Sequence, residues 1–188
     1  MEIFLYGLII TFGVLSYVVG VWQMLKNKYL PSTFSRVIWV LLSINSFAGV
    51  ILSNSSTSSI LLGLIFLSGN IAICIVSFWK GIKTIGKLEY YCLVLLLLSG
   101  LIWIFFDAPL VNLIISLSAH FIGGIPTYKK VWIDPTSESF GFWSLFFFAS
   151  LLSVFVADTT SLKTILFPIY FVIFDGAMSL LTLRKKNL

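Results

Sequence analysis

Seven runs of about twenty apolar residues, separated by short polar connectors, decide what this chain can fold into, because about twenty apolar residues are what a helix needs to cross a bilayer. They cover roughly 3–24, 36–53, 60–79, 88–106, 110–128, 140–157 and 164–183. Each run is continuous and lacks the period-two alternation of a barrel strand. The expected fold is therefore all-α integral membrane, with seven transmembrane helices. Composition supports this, since 59% of the 188 residues are hydrophobic and only 10% are charged. A soluble core of this size cannot hide so much apolar surface, which makes the lipid bilayer an expected partner. The breakers fall between the runs, in "KNKYLPST", "NSSTSS", "KGIKTIGK", "DAP", "KKVWIDPTSES" and "DTTS". The first run opens "MEI" without basic residues or a small-residue cleavage site, so it reads as a retained helix.

Charge gives the orientation. When the connectors are assigned alternately to two sides, one side receives Lys26, Lys28, Arg36, Lys80, Lys83, Lys87, Lys129, Lys130, Arg184, Lys185 and Lys186. The other receives only Lys163. The basic side is expected in the cytoplasm, with the N-terminus outside and the C-terminus inside, most simply in the plasma membrane.

Several functions are excluded by the same inventory. One His and two Cys leave no Cys/His zinc cluster and no disulfide framework. The net charge of +5 forms no basic stripe with interleaved aromatics, so no nucleic acid is expected. There is no phosphate loop and no lysine inside the seventh run to carry a Schiff base. A Ser–His–Asp set can be drawn from Ser116 or Ser16, His120 and Asp175, but no nucleophile-bearing turn surrounds either serine. Neither an enzyme nor a cofactor is expected.

Shifting the chain by 104 positions aligns its two halves without a gap. Gly20 meets Gly124, Lys26 meets Lys130, Pro31 meets Pro135, Ser35 meets Ser139 and Trp39 meets Trp143. Matches of Gly, Pro, Lys and Trp at helix ends carry more weight than matched leucines. The expected architecture is two parallel three-helix bundles, residues 1–83 and 108–188, joined by a linker helix within 84–107. An odd helix between two three-helix units makes the units parallel, as in parallel-repeat transporters. The linker run has little polar beyond Ser99, as for a helix facing lipid all round.

The segment "GGIPTYKKVWIDPTSESFGFWSLFFF" resembles the motif of the PQ-loop and SWEET sugar-transporter superfamily, with Pro126 at the motif proline and Thr127 where glutamine is usual. Its first-half counterpart, "GVWQMLKNKYLPSTFSRVIWVLL", keeps Gln23 but has Trp22 at the proline. The resemblance implies the three-plus-one-plus-three arrangement, alternating access, a sugar as substrate and polar contacts to it from the third and seventh helices. It also implies a gating role for Pro126, Gln23, Gly124 and Gly20. The hinge prolines that SWEET proteins carry in helices 2 and 6 are missing from 36–53 and 140–157.

Polar residues at mid-depth are the candidate site: Asn45, Asn70, His120 and Asp175, with Ser16 beside them. Asn70 and Asp175 are one position short of repeat equivalents. Helical spacing puts Gly13, Ser16, Gly20 and Gln23 on one face, as it does Gly63, Asn70, Cys74 and Ser77. Asn112, Ser116, His120, Gly124 and Thr127 form a third stripe, and Asp175, Ser179 and Thr182 a fourth. Such stripes serve either a solvated path or close helix packing. Asn45 reads best as an interhelical hydrogen bond. Asp175 and His120 are either a proton-coupling pair or a structural Asp–His bond between the fifth and seventh helices. Trp22, Trp39, Trp132 and Trp143 read as an interfacial belt, and Phe147, Phe148 and Phe155 as candidate walls of a central pocket.

The function expected is carriage of a small polar solute, a sugar first, around a midplane site and with the option of proton coupling. A vitamin or amino-acid carrier, and a receptor or sorting protein of the KDEL-receptor type, remain alternatives on the same scaffold. Self-assembly is left open by the sequence.

Overall fold

The computed structural model describes residues 2–28, 30–83, 87–106, 108–157 and 161–184, with the backbone alone at 88, 89, 99 and 102–104. Ser99, the connector residues 84–86, 107 and 158–160, and the tail with Lys185 and Lys186 therefore lie outside what is described. Among the described residues there are seven α-helices: α1 Glu2–Leu25, α2 Thr33–Leu52, α3 Thr57–Lys80, α4 Lys87–Phe106, α5 Pro109–Ile133, α6 Phe140–Val156 and α7 Leu162–Thr182. A single 3-10 turn, Pro135–Ser137, links α5 to α6. Among the described residues, five helices (α1, α2, α3, α5 and α7) are long and apolar enough to cross a membrane, and α6 is a shorter apolar helix of 17 residues.

The helix ends are set by local chemistry. Ser32, Ser56 and Ser139 cap α2, α3 and α6, each side chain accepting from the backbone N–H three residues on. Pro109 opens α5 at the position where a missing N–H costs nothing. Asn27 and Asn54 sit at positive φ, 55° and 53°, just beyond α1 and α2. Both close a paired C-terminal motif. Lys28 N–H donates to Gln23 O and Asn27 N–H to Met24 O; Ser55 N–H donates to Val50 O and Asn54 N–H to Ile51 O. Asparagine tolerates the left-handed backbone better than most side chains, which explains its use at both corners.

α3 packs between α1 and α2, and α7 packs against both α5 and α6. The two groups meet where α1 lies on α6 and α2 lies on α5. The interior is aromatic: Phe66, Phe146, Phe171 and Phe174 are buried, with Tyr17 and Phe142 beside them. α4 lies against α5 and α2.

Four expectations need correction. α4 does not face lipid all round: Cys92 is fully buried and donates to Ala119 O at 3.4 Å, in a small cluster with Ile38 and Leu42. α5 runs past the expected 128 to Ile133, because "YKKVW" continues the helix until Asp134 caps the turn that follows. Phe148 and Phe155 are exposed and wall no central space. Trp39 and Trp143 are buried as well, while Trp22 and Trp132 are exposed as a belt requires. His120 of α5 covers Trp39 and Phe174 of α7 covers Trp143, which takes the first pair away from the interface.

Candidate functional site

Each polar stripe faces inward. Asn70 is 1% exposed, His120 1% and Asp175 2%, and Ser16, Ser116 and Asn112 are fully buried. Their surroundings divide into three groups.

The first group joins α1, α2 and α3. Asn70 Nδ2 lies 3.0 Å from Ser43 Oγ, 2.9 Å from Phe66 O and 3.4 Å from the Tyr17 hydroxyl. Ser43 in turn donates to Trp39 O at 2.6 Å. The Tyr17 ring lies over Gly69 and stands edge-on to Phe142 and Phe146 of α6, with centroids 5.5 Å apart in both cases.

The second group is built on α5 and α7. His120 Nδ1 is 2.7 Å from the Tyr170 hydroxyl, while its Nε2 has no hydrogen-bond partner. Its ring is enclosed by Trp39 at 4.6 Å, Phe174 at 4.9 Å, and Phe66 and Phe171 at 5.4 Å. Asp175 Oδ2 is buried without a partner, so Asp175 and His120 do not bond to each other. The carboxyl lies within electrostatic reach of the hydroxyls of Tyr17, Tyr128 and Tyr170. Tyr128 donates to Phe174 O at 2.5 Å. Trp143 Nε1 and Ser179 Oγ are likewise buried without partners. Phe174 joins these residues: it touches His120 and Trp143, precedes Asp175 and lies over Gly124.

The third group is structural. Asn45 Nδ2 donates to Asn112 Oδ1 at 3.1 Å and to Ser116 Oγ, tying α2 to α5. Ser16 donates to Phe142 O at 2.7 Å, tying α1 to α6.

The two ends differ. At the end bearing Lys26, Lys80 and Lys130, Gln23 Nε2 donates to Ser139 Oγ at 2.7 Å, and Lys130 pairs with Glu138 at 2.5 Å. A cavity of about 270 Å³ opens there, with Arg36, Thr127, Lys130, Glu138 and Pro126 among its lining. The opposite end is closed by serines. Ser55 donates to Lys163 O at 2.6 Å, Ser59 to Thr164 O at 2.6 Å, and Ser58 to Ser153 O at 3.0 Å. Gly20 and Gly124, expected at a gate, are where Phe142 and Phe174 press closest: a Cβ would come within 2.8 Å and 2.6 Å of those rings.

No family model, curated protein or solved structure matches the chain.

Sequence reasoning overlooked Tyr17, Ser43, Tyr128 and Tyr170, and treated Arg36 as a connector charge. Tyr17 could have been found, since it continues the Gly13–Ser16–Gly20 stripe by one residue. Arg36 is 4% exposed in the first turn of α2, its guanidinium 4.6 Å from the Trp39 ring. Summing charges by connector hides a cation that turns inward.

Proposed function

We propose that this chain is a membrane carrier for a small polar solute, a sugar being the first candidate, that works by rocking two parallel three-helix units around the Asn70–His120–Asp175 interior. One observation carries the reading. His120 Nε2, Asp175 Oδ2, Trp143 Nε1 and Ser179 Oγ are all buried without a partner. Native interiors leave few such atoms, because each costs about 1–3 kcal/mol unless something satisfies it. Together they offer a donor, an acceptor and two groups able to do either, which is the complement of a hydroxyl-rich ligand.

The helix packing supports the parallel units. Exchanging each of α1–α3 with the helix four places on converts the α1–α3 and α2–α3 contacts into α5–α7 and α6–α7, and maps the α1–α6 contact onto α2–α5. Two apolar grooves also recur at matched places: one between α1 and α3 with Val21 and Leu25, and one between α5 and α7 with Ile125 and Lys129. In this reading the lysine-rich end faces the cytoplasm and the serine end faces outward. The conformation is closed outside, with a shallow cavity inside.

Asp175 is the coupling group. It has no cation within ion-pair distance among the described residues. A charged carboxyl at this depth costs on the order of 3 kcal/mol unless it takes a proton, pairs or meets water. The deciding experiment is uptake into proteoliposomes of labelled sugars, amino acids and vitamin precursors, with and without a pH gradient. Uptake of one class, lost in Asn70→Ala, establishes a carrier. Stimulation by an inward proton gradient that disappears in Asp175→Asn assigns the coupling. Folded protein that takes up nothing rejects carriage and leaves a receptor on this scaffold.

A further inference from the structure

The cavity at the lysine-rich end carries an assignment that does not depend on whether the interior moves a solute. It lies where α2 begins and α5 ends, with a volume of about 270 Å³, and Ser35, Arg36, Trp39, Thr127, Lys130 and Glu138 are the lining residues that matter here. The trio Arg36, Lys130 and Glu138 has a net charge of +1. Lys130 is engaged by Glu138 at 2.5 Å, and Arg36 lies within electrostatic reach of the same carboxylate. Arg36 is more than nine-tenths buried and stacked on Trp39, which fixes its guanidinium in place.

Topology does not account for these charges. Under the 104-residue repeat, Lys130 corresponds to Lys26, a shared basic loop position. Arg36 and Glu138, by contrast, correspond to Phe140 and Phe34. The buried cation and its carboxylate therefore exist on one side of the pseudo-twofold only, at the side where the cavity is. The general positive bias of cytoplasmic loops would need neither to be buried.

We propose that this cavity is a binding site for a small anionic group, a phosphate or carboxylate, held by Arg36 and Lys130 with the Ser35 and Thr127 hydroxyls beside it. Glu138 is the internal competitor that occupies Lys130 when the anion is absent. A guanidinium offers a planar fork suited to such oxygens, and the wall of Trp39 limits the water that would screen it. The anion can come from a soluble solute or from a lipid headgroup at the cytoplasmic surface, and the chemistry of recognition is the same for both.

The test is direct binding, not transport. Full-length protein in a neutral detergent is titrated calorimetrically with inorganic phosphate. In parallel, its thermal midpoint is compared in nanodiscs of phosphatidylcholine with and without phosphatidylglycerol. Arg36→Gln should weaken the response about tenfold or more, since a charge-assisted contact is lost. Lys130→Gln, at a more exposed position, should weaken it less and guards against an Arg36 variant that fails to fold. Glu138→Gln should strengthen binding several-fold by releasing Lys130. Phosphate binding with this pattern identifies a soluble anion, and a phosphatidylglycerol-dependent midpoint with the same pattern identifies a headgroup. Absence of both responses, or weaker anion binding in Glu138→Gln, overturns the proposal and leaves the trio as a structural ion network.

Discussion

At the scale of single residues, the interior is organised by rings lying on glycines. Gly69 is the extreme case, since a Cβ there would fall 2.2 Å from the Tyr17 ring. Tyr17 cannot yield freely: its hydroxyl is tied to Asn70, and its ring edges meet Phe142 and Phe146. Gly69→Ala should therefore cost about 1–3 kcal/mol, as overpacking of a filled core does. Gly7, where a Cβ would meet nothing within 4 Å, is the control. Gly7→Ala should leave stability unchanged or raise it slightly through helix propensity. Thermal unfolding of both variants in the same detergent checks this, and equal midpoints would remove the ring-on-glycine account. Two helical glycines, one in α1 and one in α3, thus differ in consequence because a ring from a neighbouring helix lies on only one of them.

At the scale of elements, the serine seam has a job that its composition alone does not reveal. The stretch "NSSTSS" reads as a polar connector. In the fold, Asn54 turns the chain in the left-handed region, and Ser55, Ser58 and Ser59 then reach carbonyls of α6 and of the first turn of α7. Each such bond contributes about 1 kcal/mol net. In a carrier the seam is the outer closure, so Ser58→Ala with Ser59→Ala should shift the population toward the open form. Reactivity of Ser153→Cys with a membrane-impermeant maleimide reports it: labelling should rise in the seam variant, and unchanged labelling would show that the serines do not close this end. Much of this architecture was legible from sequence, because hydropathy sets helix position to within a few residues and serine, asparagine and proline mark the ends. The misread features have one physical origin. Arg36, Trp39 and Trp143 are residue types that prefer an interface, and nothing local shows that another helix covers them. Likewise "YKKVW" carries loop-like charge while remaining helical, since the lysines of a helix that projects beyond the bilayer need no loop to reach water.

At the scale of the whole molecule, the two halves are stitched unevenly, which in the proposed carrier sets the direction of motion. The serine end is joined by several hydroxyl-to-carbonyl bonds. The lysine end is joined by the Gln23–Ser139 bond between α1 and the cap of α6, next to a cavity. Midway, Ser16 holds α1 to α6 and Asn45 holds α2 to α5. Under the 104-residue shift these two contacts correspond as contacts between helices but not as residues, because Ser16 corresponds to His120 and Asn45 to Ala149. A rocking motion that keeps the middle bonds can open one end only by closing the other, and the Gln23–Ser139 pair must separate each time the lysine end opens. Gln23→Cys combined with Ser139→Cys, bridged by a short reversible thiol cross-linker, should therefore abolish uptake, and reduction should restore it. The native Cys74 and Cys92 are buried, so each single variant serves as a control for off-target reaction. Solute binding should survive the bridge, because the cross-link restrains movement of the units without touching Asn70 or Asp175. Uptake that continues with the bridge in place would mean that the solute passes without separation of α1 from α6, and the two-unit rocking mechanism would fail.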